Sequence, residues 1–161
     1  MLLYIVRHAP AGQHGDPRYP NDSLRPLTRK GQRRFGSLVR RLVRHGLAPS
    51  LVVTSPLLRC RQTAEILVAR AHEPPKLLER DELAPGAHWA DLIDWTSSEG
   101  AEEVAWVGHA PDVDRMTAEL IGSTDANLSF AKGAIAAIRF PAKIAIGEGE
   151  LNWLVKPKLI G

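Results

Sequence analysis

The chain has 161 residues, 44% of them hydrophobic, and 21 Lys and Arg set against 18 Asp and Glu leave a formal charge of +3. This length and apolar content suit a single domain over residues 1–161, without internal repeats or low-complexity linkers. No run of ~18 apolar residues occurs, which excludes a membrane-spanning helix. A single cysteine, Cys60, excludes an internal disulfide and is consistent with a reducing compartment. Met1 leads directly into apolar residues without a signal-peptide pattern, so the expected location is cytoplasmic.

The run Leu2-Leu3-Tyr4-Ile5-Val6 is short and continuously apolar, and it reads as a fully buried strand. Arg7 and His8 come directly after it. In an open α/β sheet, chemistry collects just beyond the carboxyl ends of the strands, which makes the pair a candidate site. The alternative is an ordinary surface Arg-His pair. Residues 9–27 form a loop rich in Pro and Gly, long for a compact domain and therefore expected to wall a pocket that starts at His8. Within it, Arg25 either reaches a bound anion or braces the loop. A helix is predicted over 28–45, capped by Thr28, with Phe35, Leu38, Val39, Leu42 and Val43 as its apolar stripe.

A second strand at 51–54 leads into a helix predicted over 56–71, with Ser55 as N-cap, Pro56 at the first helical position and Arg59 in the first turn. A short strand near 76–78 and a helix at about 87–98 come next. A strand over 103–107 then runs into Gly108-His109-Ala110-Pro111 and a helix over 111–122. Strands at 134–140 and 151–155 complete the pattern. Alternating strands and helices argue for an α/β fold, a mostly parallel central sheet with helices on both faces.

Three strand ends thus deliver two arginines and two histidines. Lying side by side, Arg7, His8, Arg59 and His109 would repel unless an anion neutralised them. A phosphate dianion suits the set, because guanidinium forks match its oxygens and a helix N-terminus favours its charge. Neutral imidazole is a competent nucleophile toward phosphorus when one ring nitrogen is free and the other donates a hydrogen bond. Fixed positive groups then stabilise the charge on the equatorial oxygens. This chemistry requires no metal or redox cofactor.

Arg7-His8, the segment Ser55-Pro56-x-x-Arg59-x-x-Gln62-Thr63-Ala64 and Gly108-His109 together resemble the signatures of the histidine phosphatase (phosphoglycerate mutase-like) superfamily. Arg25-Pro26-Leu27-Thr28, Gly31, His109-Ala110-Pro111, Ala134-Ile135-Ala136 and Asn152-Trp153 are similar to its short bacterial branch, the SixA-type phosphohistidine phosphatases. The likeness runs from residue 2 to about residue 155. It implies a three-layer α/β/α fold, His8 as a nucleophile that becomes phosphorylated, and Arg7, Arg59 and His109 on the phosphoryl oxygens. Arg25 and Ala110 join these as candidate phosphate- or substrate-binding residues. The family usually has Gly where this chain has Ala9, which removes some freedom for a positive φ.

Glu82, in Asp81-Glu82-Leu83-Ala84-Pro85-Gly86, lies where related phosphomonoesterases and mutases place an acidic residue, and it is the candidate general acid. Asp81 and Glu79 compete for the role, and an exposed acidic loop is the plain alternative. The resemblance leads to an expected phosphohistidine phosphatase acting on proteins. The alternatives are a small-molecule phosphomonoesterase and a non-catalytic module binding phosphate or nucleic acid. A mutase is disfavoured, since the chain lacks room for the cap that larger relatives carry.

Other chemistries find little support. The six histidines form no HExxH or paired-ligand pattern, so no metal site is expected. No GxxxxGK[ST], GxSxG or Cys-x5-Arg motif occurs, which disfavours P-loop NTPases, serine hydrolases and cysteine phosphatases. Cys60 sits beside Arg59, where positive charge could lower its pKa, though a small packing residue is the simpler reading. Residues 23 to 64 contain no Asp or Glu but hold Arg29, Lys30, Arg33, Arg34, Arg40, Arg41 and Arg44 among other cations. That stretch is either a solvated helix face or a docking surface for an acidic partner, such as a phosphorylated signalling domain. Nucleic acid is a weaker partner, as no aromatic interleaving or known binding motif accompanies the charge.

Overall fold

A continuous apolar strand is stable only when both of its faces are covered, and helices on the two sides of one sheet meet that need. The protein, a computed structural model describing residues 1–159, has strands β1 (Leu2–Arg7), β2 (Leu51–Thr54), β3 (Lys76–Glu79), β4 (Glu103–Gly108), β5 (Ile135–Arg139) and β6 (Glu150–Val155). Its helices are α1 (Arg29–Arg44), α2 (Leu58–Val68), α3 (Ala90–Ser98) and α4 (Asp112–Leu120). Residues 160–161, the end of the expected domain, lie outside the described residues. The strands form one sheet in the order β3-β2-β4-β1-β5-β6. β3, β2, β4 and β1 are mutually parallel, whereas β5 is antiparallel to both β1 and β6. The expected α/β architecture with a mostly parallel sheet is therefore the one adopted.

Side chains alternate between two cores. Leu3, Ile5, Val53 and Trp106 pack with Leu92 of α3 and with Val113 and Met116 of α4. Tyr4, Val6, Val52 and Val107 pack with Phe35 and Leu38 of α1 and with Leu67 of α2. The sheet is thus the middle of three layers. Trp106 is fully buried, and its indole N–H donates to Thr96 Oγ1 at 3.2 Å, so its one polar atom is satisfied.

Thr28 caps α1 as expected, its Oγ1 accepting from Gly31 N at 3.0 Å. Of the predicted stripe, Phe35, Leu38, Val39 and Val43 are buried and Leu42 is partly so. The expected start of α2 is corrected. Leu57, not Ser55, is its N-cap, with no side-chain cap bond; the Ser55 hydroxyl lies 2.9 Å from the buried His109 ring and accepts only a long 3.4 Å bond from Leu57 N–H. α3 begins at Ala90 rather than near residue 87, after a turn in which Gly86 has φ +72°. α4 stops at Leu120 rather than 122, where Gly122 takes φ +79°.

Two glycines of α1 give opposite predictions. A Cβ on Gly31 would stand 2.3 Å from Pro10 O, the carbonyl that accepts from Thr28 N and ties the loop 9–27 to the helix. A Cβ on Gly36 would meet nothing closer than 3.7 Å. Gly36→Ala should therefore stabilise the protein by up to about 1 kcal/mol through helix propensity. Gly31→Ala should destabilise it by about 1–3 kcal/mol through the clash. Chemical denaturation measures both, and equal shifts of the same sign would contradict the packing described.

Candidate active site

The register of the three central strands brings the candidate residues together. Arg7 stands opposite Gly108 across β1 and β4, and Thr54 stands opposite Val107 across β2 and β4. The residue after each strand must emerge beside its neighbour. His8 N–H donates to Gly108 O and Ser55 N–H donates to Val107 O, both at 3.0 Å. The rings of His8 and His109 lie 5.3 Å apart by centroid. Both are buried, as are Arg25 and Arg59, while Arg7 is half-buried.

The tautomer of His8 is set by its partner. Nδ1 lies 2.8 Å from Ala9 O, and a carbonyl can only accept, so Nδ1 carries the proton and Nε2 keeps its lone pair. Burial lowers the pKa of His8 to about 4, with Arg59, Arg7 and Lys132 adding to the effect and the Ala9 bond opposing it. His109 is lowered to about 3, first by burial and then by Arg59 and His8. Both rings are neutral at physiological pH. His109 Nε2 meets Ser55 Oγ at 2.9 Å.

Ala9 causes no strain. No non-glycine residue among those described has a positive φ, so the loss of glycine's freedom at this turn costs nothing. Ala9 N–H donates to Thr63 Oγ1 at 3.0 Å, and that hydroxyl donates to Arg59 O at 2.7 Å. The turn after β1 is thereby fastened to the first turns of α2.

Arg59 Nη1 donates to both the backbone O and the Oδ2 of Asp22, each at 3.0 Å. Asp22 Oδ1 accepts from Arg25 Nε at 2.8 Å and meets the exposed His14 Nδ1 at 3.0 Å. Arg25 Nη1 reaches Gly12 O at 2.7 Å, so of its two expected roles Arg25 here performs the bracing one. Its partners hold the Asp22 carboxyl well below the usual carboxylate range, the Arg25 hydrogen bond foremost. Two buried donors, Arg7 Nε and Arg59 Nε, have no partner among the described residues. An anion with several acceptor oxygens suits such donors.

Sequence reasoning missed several contributors. Arg7 Nη1 donates to Phe130 O, and Gly133 N–H donates to the carbonyls of Arg7 and His8, so residues 130–134 close one side of the site. Asp22 was visible only as the last acid before the acid-free stretch 23–64, which is a usable signal. Ala110, a candidate substrate contact, is half-buried directly after His109.

Glu82 lines a narrow cleft that also contains Leu83, Ala84, Trp89, Gly108 and His109. Arg80 grips its carboxylate with both arms, Nε reaching Oε2 at 3.2 Å and Nη2 reaching Oε1. The Arg80 guanidinium in turn stacks on Trp95, 4.6 Å from the ring centroid. That pair holds Glu82 ionised, its pKa lowered chiefly by the Arg80 hydrogen bonds. Asp81 and Glu79 are exposed, and Glu79 pairs with Arg61. Cys60 is no reactive thiolate. Burial pushes its thiol up to about 12 despite Arg59, and Sγ packs 3.3 Å from His109 Nε2. Among the described residues, no three His, Cys, Asp or Glu side chains are grouped to hold a metal ion. No described helix is long and apolar enough to cross a membrane.

The chain is similar to several known proteins. The profile of the Histidine phosphatase superfamily (branch 1) matches residues 3–129. An uncharacterized protein of Picosynechococcus sp. is 39% identical, with 98% of each chain covered. Phosphohistidine phosphatase SixA of Escherichia coli is 27% identical, over 98% of this chain and 94% of its own. A structure of the protein histidine phosphatase SixA complexed with tungstate superposes with a TM-score of 0.84 at 27% identity, covering 100% of both chains. By the profile match and by its fold, the chain belongs to the histidine phosphatase superfamily and is similar to SixA within it.

Proposed function

We propose that this phosphatase hydrolyses the N–P bond of phosphohistidine in proteins, through a covalent phosphohistidine at His8. The observation that carries the reading is the His8 ring itself. Its Nδ1 proton is committed to Ala9 O, which leaves Nε2 as an unprotonated nucleophile among buried guanidinium donors. The tungstate held by the SixA relative is a tetrahedral oxyanion, the shape of group those donors suit.

The reaction has two displacements. His8 Nε2 attacks phosphorus, the substrate N–P bond breaks, and its electron pair returns to the leaving ring nitrogen. Arg7, Arg59 and His109 hold the phosphoryl oxygens while charge is redistributed. Water then attacks the phosphorus on His8, releasing inorganic phosphate and restoring neutral His8. The ionised, Arg80-paired Glu82 is poorly suited to protonate a departing alkoxide, whereas a phosphoimidazolium leaves as neutral imidazole and needs no acid. The exposed cations of α1, Arg29, Lys30, Arg33, Arg34, Arg40, Arg41 and Arg44, support a protein substrate with an acidic surface.

Incubation with phosphohistidine protein should label the enzyme with an acid-labile, alkali-stable phosphoramidate. His8→Ala should abolish labelling and turnover while its circular dichroism stays native. Arg7→Ala or Arg59→Ala should each slow turnover about 10²–10³-fold. Near-normal turnover by His8→Ala would overturn the mechanism, and turnover of alkyl esters without phosphohistidine would make this an ester phosphatase.

The depressed pKa of His8 sets the acid limb of the rate profile. His8 works only when neutral and protonates at about pH 4. After correction for substrate ionisation, kcat/KM should therefore hold as pH falls through 6.5 and decline only near pH 4. A decline centred near 6.5 would mean an ordinary, solvated nucleophile.

The basic face is separable from the chemistry. Arg33→Glu combined with Arg40→Glu should raise KM for a phosphorylated acidic protein, most strongly at low salt. Hydrolysis of a small phosphate should change little. Equal losses on both substrates would show damage to the pocket instead of lost docking.

A further inference from the structure

We propose that Glu82 is the specificity determinant for the leaving group, accepting a hydrogen bond from the unphosphorylated ring N–H of the substrate phosphohistidine. The inference rests on the proposed phosphohistidine activity and adds the residue that would select it. Three observations set Glu82 beside the site and fix its carboxylate. The turn Asp81–Leu83 packs against the end of β4, where Leu83 O lies 3.7 Å from the position a Cβ on Gly108 would occupy. Glu82 and His109 line the same cleft. The carboxylate is fixed by the two-armed Arg80, itself held on Trp95, with its side chain only 21% exposed.

A carboxylate gripped by guanidinium is an acceptor and not a donor. Ester phosphatases need the reverse, a neutral acid that delivers a proton to an alkoxide. A phosphoimidazolium offers a group that an ionised Glu82 can bind, because the nitrogen away from phosphorus carries a proton and the ring carries positive charge. Fixing that proton also preserves the reaction's balance. Substrate phosphoimidazolium and neutral His8 become neutral imidazole and phospho-His8 imidazolium. Each ring keeps its own N–H throughout, His8 on Ala9 O and the substrate on Glu82, so only the phosphoryl group moves. A substrate ring that lost this proton would leave as imidazolide, a far poorer leaving group.

The test compares wild-type enzyme with Glu82→Gln on three small phosphates: phosphoimidazole, phosphorylated 1-methylimidazole and p-nitrophenyl phosphate. The methylated compound keeps the positive charge but has no N–H to donate. With wild type, phosphoimidazole should outpace the methylated compound by about tenfold in kcat/KM, the scale of one charge-assisted hydrogen bond. Glu82→Gln should lower kcat/KM for phosphoimidazole about tenfold, and leave p-nitrophenyl phosphate within twofold. The gap between phosphoimidazole and its methylated analogue should largely close. Single-turnover labelling of His8 from p-nitrophenyl phosphate confirms that the variant's site is intact. Equal loss on all three substrates, or an unchanged preference for phosphoimidazole, would overturn the assignment to Glu82 alone. If wild type labels His8 from the ester yet does not turn over phosphoimidazole, the phosphohistidine reading falls and this inference falls with it.

Discussion

The pairing of β1 with β4 is the constraint on which the site depends. Two parallel strands in register, Arg7 opposite Gly108, must release their next residues side by side, so His8 and His109 meet without any loop having to bring them there. β2 joins the other edge of β4 in the same direction, and its continuation places Arg59 in the first turns of α2. The backbone ladder therefore gathers cations and imidazoles that would avoid one another in solution. The cost is met partly by neutrality, since burial keeps both rings unprotonated, and partly by Asp22, which answers Arg25 and Arg59 together.

Asp22 gives the long loop 9–27 a physical purpose. A loop of this length would ordinarily sacrifice order for reach, but its two ends are drawn together by Gly12 N–H on Pro26 O at 3.0 Å and by Arg25 on Gly12 O. The carboxylate then extends from the ordered loop to Arg59 on a different element. A phosphate entering the site would approach arginines already oriented, and it would share Arg59 with a negative neighbour. Such a neighbour opposes tight holding of the dianion, a useful property where inorganic phosphate must leave after each turnover.

The parts of this design that were legible in the sequence are those governed by local rules. Short apolar runs became the sheet, Thr28 capped α1, and the residues placed just past three strand ends converged because parallel strands converge. The features that escaped were decided by partners that only the folded chain brings into contact. Ser55 has the composition of a helix cap, and only the fold reveals that a buried histidine 54 residues away meets its hydroxyl. Phe130 and Gly133 present backbone atoms, which no side-chain pattern can announce. Cys60 was better served, since the simpler reading of a packing residue beside Arg59 agrees with its burial, which outweighs the neighbouring charge. Glu82 was visible as an acid near a glycine, but its ionisation depends on Arg80 two residues earlier and on Trp95 behind it.

The same balance of burial and charge separates nucleophile from leaving group. Both are imidazoles in the proposed reaction, and an isolated pair would exchange a phosphoryl group with little preference for direction. Direction comes from the fate of each ring after transfer. The substrate ring departs with its protein, carrying its proton, whereas phospho-His8 stays in a site whose fixed donors suit the transition state for attack by water. Burial serves both halves of this cycle. It keeps the free His8 ring unprotonated, and in the proposed reaction it would make the phosphorylated, positively charged ring costly to retain. On the proposed mechanism, a site that raises the energy of its intermediate while clamping the oxygens around it favours hydrolysis over storage of the phosphoryl group.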